Sequence, residues 1–204
     1  MQGIPLNERK RLGALLDDRP QTEVMAMIPQ FSQAETDNFV APPAQIPEAL
    51  GVLMFNMERG VNLPEIQEFL RDCPDIQPFD VILANELDDG CARSGNKNTA
   101  RELAQAFGLN YAWGLEFIEL VNDENAKGFH GNAVFSRWPI RRAGVIRLPE
   151  QYNWYFDRQK RIGGRLAVFA ELDVGGQPVG NAIGLGICLL QYYFHLIPLD
   201  PEGY

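Results

Sequence analysis

From Ala49 onward the apolar positions recur with two periods, and the switches between them mark out an α/β chain. Gly51 to Met57 is a short apolar run bounded by a turn, as in a buried strand. Pro64 stands at a first-turn position and opens a helix with Ile66, Phe69 and Leu70 on its apolar face. Phe79 to Leu87 reads as a second strand. Asn98 to Phe107 reads as a second helix, with Leu103, Ala104 and Phe107 on one side and Gly108 as its stop. Asn110 to Leu120 alternates aromatic and small residues and predicts a third strand. Short strands follow at Ala133 to Phe135 and Val145 to Leu148, on either side of Pro139. Gly164 to Val174 alternates through Leu166, Val168, Ala170 and Leu172, a half-buried strand, and Gly175-Gly176 is a hairpin turn.

The two ends read differently. Residues 1–48 predict an arm or leader packed loosely on the domain. A helix from Asn7 to Asp17, capped by Asn7, is followed by Pro20 and by a Phe39 to Ala44 stretch that cannot be helical. Residues 49–180 form the domain proper. Residues 181–204 form an atypical tail, apolar without period from Ala182. Its Ala182 to Leu199 stretch is at the lower length limit for crossing a bilayer and carries Gln191, His195 and Pro198, which makes a membrane span the weaker reading.

Length and charge narrow the function. A chain of 204 residues can bury one sizeable core. Its 27 acidic against 18 basic residues give a net charge of −9. The densest basic groups are Arg9-Lys10-Arg11 and the Arg158 to Arg165 stretch, so a strong nucleic-acid footprint is absent while a single phosphate can still be held. Cys73, Cys91 and Cys188 have neither metal-site nor disulfide spacing. Asn7 to Leu16 is no secretory signal, which leaves the cytoplasm as the default compartment.

The residues that can carry chemistry sit at strand ends. Asn56 closes the first strand and Glu86 the second. In open α/β sheets, ligands meet protein at such ends. A carboxylate leaving an apolar strand is costly to desolvate unless something such as a cation offsets the cost. Glu86 is therefore either a magnesium ligand or a solvated residue where a strand enters a loop. Asp88 supports that site from behind, or forms with Asp89 a polar turn before Gly90. Arg93 and Lys97 face a phosphate, or are surface charges. His130, in Gly128-Phe129-His130-Gly131-Asn132, reads as a loop histidine between glycines, open either to ligand or simply to solvent. Asn132 offers amide N–H groups to a phosphoryl oxygen, or stabilises a turn. Trp154-Tyr155-Phe156 is an aromatic cluster of the core or a loop anchor.

Three stretches taken together resemble the endonuclease/exonuclease/phosphatase superfamily. Leu53-Met54-Phe55-Asn56-Met57 is similar to its first strand, which ends in Asn. Asp80 to Asp88 is similar to the strand that ends in the magnesium-binding Glu. Gly131 to Ile140 is similar to the central Gly-Asn-Ala-x-x-Ser-Arg-x-Pro-Ile stretch, and Arg161 to Asp173 adds a weaker match. The resemblance implies a four-layer αββα sandwich, incomplete at the C-terminus, and metal-dependent hydrolysis of a phosphate ester. The metal is expected to be magnesium, with manganese as its substitute. It implies Glu86 and Asn56 at the metal, and Asn56, Asn132 and His130 at the phosphate. The substrate stays open among a small phosphoester, a lipid headgroup and a nucleic acid.

The resemblance also implies a Thr-His-Leu strand end, a Gly-Asp-x-Asn motif and a Ser-Asp-His motif after Gly180, and none of these is present; Phe194-His195-Leu196 is a poor echo of the first. The expectation is a truncated chain of impaired activity. The alternative is a non-catalytic remnant that binds a partner chain or a membrane.

Overall fold

The computed structural model describes residues 1–149, 153–157, 159–184 and 195–198. Two sheets pack face to face, with helices on the outer face of the larger one. The larger sheet has seven strands. β1 (Ala34–Asp37), β4 (Asn110–Glu119), β5 (Phe129–Ser136), β3 (Val81–Asp89), β2 (Ala49–Arg59) and β10 (His195–Pro198) lie side by side in that order, and β7 (Arg161–Gly163) pairs with the far end of β4. Among the described residues only β2 and β3 run parallel, and the other pairs are antiparallel. The smaller sheet is β6 (Ile140–Arg147), β8 (Leu166–Val174) and β9 (Gln177–Gly184), all antiparallel.

Alternation along the strands explains the layering. Leu53, Ile82, Ala84, Trp113 and Phe135 point to the helix side, where Leu63 and Leu70 of α3 (Leu63–Asp72) and Leu103 and Ala104 of α4 (Thr99–Phe107) cover them. Val52, Val81, Leu83, Ala112 and Val134 point the other way and meet Leu166, Val168, Ala170 and Leu172 of β8. The parallel β2–β3 pair needs a crossover, and α3 supplies it.

The local signals act as anticipated in most places. Asn98 caps α4 by accepting the Arg101 N–H at 2.9 Å, and Gly108 ends that helix in the left-handed conformation at φ +59°. Gly175 and Gly176, both at positive φ, make the β8–β9 turn. Strand β5 is longer than the apolar pattern suggested, and begins at Phe129 rather than Ala133.

The N-terminal segment is where the structure departs from the sequence reading. Residues 1–48 are not loosely packed. Their helices are α1 (Leu6–Ala14) and α2 (Gln21–Ala26), and Leu12, Leu16, Val24, Ile28 and Phe31 enter the helix-side core. Arg9 is buried and donates to the carbonyls of Asn125 at 2.7 Å and Lys127 at 2.9 Å. β1 adds an edge strand. Helix α1 starts after Pro5, so Asn7 is inside it and does not cap it. Of the 181–204 tail, residues 181–184 complete β9 and 195–198 form β10; the rest of it lies outside the described residues. Among the described residues, no helix is long and apolar enough to cross a membrane.

Candidate active site

Asn56, Glu86, His130 and Asn132 come together at one end of the larger sheet, the C-terminal end of β2 and β3 and the N-terminal end of β5. The β3–β5 ladder pairs Ala84 with Ala133 and then skips to Leu87 with Gly131. Asn85 and Glu86 therefore oppose the single residue Asn132, a β-bulge. Glu86 takes φ +59°, a left-handed conformation rare for a residue with a Cβ. The fully buried Asn132 repairs the ladder, because its Oδ1 accepts the Glu86 N–H at 3.2 Å. The bulge turns Glu86 out of the strand and leaves it half-buried.

Two buried polar atoms beside the bulge have no hydrogen-bond partner among the described residues: Asn132 Nδ2 and Asn85 Oδ1. Buried groups of this kind are costly unless a ligand or water meets them. Asn85 is 8% exposed and lies in register with Asn56 across the parallel pair. Asn56 is half-buried, and its Oδ1 accepts the Glu58 N–H at 2.8 Å. That bond steadies the turn in which Glu58 and Arg59 both have positive φ. One acceptor site of the Asn56 oxygen is thus already in use. Asn85 was missed at the sequence level. An Asn inside an apolar strand next to an acidic residue was signal enough to single it out.

His130 is not on a loop. It lies within β5, 4% exposed, with Nδ1 2.9 Å from Asp88 Oδ1 and Nε2 3.8 Å from Glu116 Oε2, and its ring stacks on Phe117. The flanking glycines misled the reading. Gly128 makes the turn before the strand at φ +71°, whereas at Gly131 a Cβ would stand 2.0 Å from the Gly114 carbonyl oxygen. Gly131 permits close strand approach rather than an open loop.

Asp88 is likewise enclosed. Arg93 donates to it twice, at 2.7 and 2.9 Å, and Ser94 Oγ donates at 3.2 Å. Burial alone would raise the Asp88 carboxyl, but the bonds from Arg93 and His130 outweigh it and hold the pKa below the usual carboxylate value. Burial also works against the Arg93 charge, and Asp88 more than offsets this, holding it above the ordinary arginine value. Glu116 with Arg165 at 3.0 Å and Glu119 with Arg161 at 3.8 Å extend the same buried ionic block. Asp88, His130 and Arg93 therefore hold one another behind the bulge. Lys97 bonds the exposed Glu102 at the surface.

The donor set has a definite chemistry. One outward carboxylate, two carboxamides beside it and a free buried N–H at Asn132 suit a hard cation next to an anion. Magnesium commonly takes only one or two carboxylates and fills its sphere with water and phosphate oxygens. Among the described residues, no group of three or more His, Cys, Asp or Glu side chains is placed to hold a metal. The residues fit one side of a magnesium site.

No protein-family model matches the sequence, and no curated protein matches it. Solved structures do. An endonuclease/exonuclease/phosphatase from Beutenbergia cavernae superposes with a TM-score of 0.50 at 20% identity, over 68% of this chain and 38% of that one. The fold is that of the endonuclease/exonuclease/phosphatase structures. A family protein of that name from Leptotrichia buccalis aligns over 66% of this chain and 54% of its own, with a TM-score of 0.45 at 18% identity. The chain thus spans 38% and 54% of the lengths of these two proteins.

Proposed function

We propose that this chain carries the Glu86 side of a metal-dependent phosphoesterase site. The observation that supports it best is the left-handed backbone of Glu86, held by the Asn132 side chain. Such a conformation costs ~1–3 kcal/mol and concentrates where function requires a side chain to be aimed. A divalent ion, magnesium or manganese, would supply charge stabilisation at the phosphoryl oxygens when bound. Glu86 would ligate it. Asn132 Nδ2 would donate to a phosphoryl oxygen, and Asn56 would brace the turn that closes the site. His130 keeps the Asp88 block rigid and does not itself touch the phosphate. The substrate is a phosphate ester, and the net acidic charge favours a small ester or lipid headgroup over a long nucleic acid.

The test is a magnesium titration followed by tryptophan fluorescence, alongside hydrolysis of a phosphodiester and a phosphomonoester. The expected result is a saturable response and turnover, both lost in Glu86→Ala. Identical responses from the two proteins would remove the site. The single-carboxylate donor set also favours a second reading, a non-catalytic chain that binds but does not turn over. Saturable metal binding without hydrolysis of either ester would select it.

A further inference from the structure

A cavity of about 520 Å³ lies between the N-terminal segment and the β6 and β7–β8 region, built from residues that take no part in the bulge. Met25, Ile28, Phe31, Leu148 and Pro149 give it an apolar wall. Among the described residues, the charged side chains in its lining are Arg147 and Arg165, and no carboxylate lines it. Its size is that of a pocket for a small organic molecule.

Arg147 sets the sign of the site. Its guanidinium donates to the carbonyl oxygens of Phe31 at 2.9 and 2.6 Å, of Gly164 at 3.2 Å and of Leu115 at 2.5 Å. These are neutral acceptors, and no carboxylate among the described residues forms an ion pair with it. Four of its five N–H groups are used, which leaves one on Nη1 with no partner among the described residues. Burial pushes its pKa down to about 10, the response of a cation whose charge is only partly offset, with Glu116 the acidic neighbour that opposes the shift. It also covers the Phe31 ring at 4.7 Å.

From this combination we infer that the cavity binds an aliphatic carboxylate, with the chain against Met25, Ile28 and Leu148 and the anionic head toward Arg147. The site is separate from the bulge and does not depend on phosphoesterase activity.

Calorimetric titration of the full chain with octanoate and with octan-1-ol tests it. Octanoate binds saturably, and the alcohol, which lacks the charge, binds about tenfold more weakly or worse. Gly164 lines the cavity, a Cβ there meets nothing within 4 Å, and its φ is not positive, so Gly164→Leu fills the space without backbone strain. Ala26→Trp fills it from the N-terminal segment. Each variant whose thermal melt matches the parent loses octanoate binding, while Glu86→Ala retains it. No saturable octanoate binding, equal binding of the alcohol, or unchanged binding in a folded plugged variant overturns the proposal.

Discussion

Asn132 and Glu86 are bonded side chain to backbone across a bulge, at 3.2 Å, and Glu86 sits at φ +59° because of it. The fold therefore bears a local cost at the residue proposed to ligate the metal. Glu86→Gly relieves it, since glycine adopts this conformation freely, and raises stability by up to about 1 kcal/mol. Urea unfolding measures the gain. The same variant loses the magnesium response. A loss of stability would mean that the carboxylate, not the backbone, is what the structure needs there.

Asn85 makes the complementary case. Its buried oxygen has no partner among the described residues, so replacing the amide by an apolar group of similar size removes a desolvation cost. Asn85→Leu is expected to be neutral or stabilising by roughly 0.5–2 kcal/mol, in line with polar groups kept for function. The divalent-ion affinity of the variant falls. A clear destabilisation in urea would point to a partner for this amide and to a structural role.

Asp88 has the opposite balance. It is fully buried and bonded twice by Arg93, once by Ser94 and once by His130, so Asp88→Asn breaks a buried pair and leaves Arg93 with the longer Glu119 contact at 3.4 Å, at a cost of about 3 kcal/mol. Its pH signature follows from the sign of its shift. The folded-state pKa lies below the unfolded value of roughly 3.9, so the stabilisation is complete above that value. It declines as the pH falls through the folded pKa. Thermal melts between neutral and strongly acidic pH should show this acid-sensitive part in the parent and not in Asp88→Asn.

Gly131 is a position where a single methyl group does harm. An added Cβ would lie 2.0 Å from the Gly114 carbonyl oxygen and 2.8 Å from the Trp113 ring, between paired strands that cannot part cheaply. Gly131→Ala should cost about 3 kcal/mol, at the upper end for overpacking. Chemical denaturation gives the figure. A cost below about 1 kcal/mol would show that β4 and β5 yield at this point.

Much of this fold was readable because its elements carry local signals. β2 and β3 open as apolar runs, and α4 has both its cap at Asn98 and its stop at Gly108. The same runs put Asn56 and Glu86 at strand ends, whereas β2 continues to Arg59 and β3 to Asp89, so that each lies three residues inside its strand. What could not be read depends on contacts distant in sequence. Leu12, Leu16 and Val24 look sparse in a polar segment, and only the tertiary structure supplies the surface they cover. His130 failed for a related reason. A glycine that admits a neighbouring backbone is indistinguishable in sequence from one that makes a loop. The bulge at Glu86 leaves no mark either, because one extra residue in a strand changes no local preference.

The buried guanidinium of Arg9, tied to the Asn125 and Lys127 carbonyls, has a practical consequence for anyone trimming this protein. A fragment beginning at Ala49 would lose β1, the strand that pairs with the near half of β4, turning its backbone into an unpaired, adhesive border. The smallest unit that stays in solution should then begin ahead of Leu6.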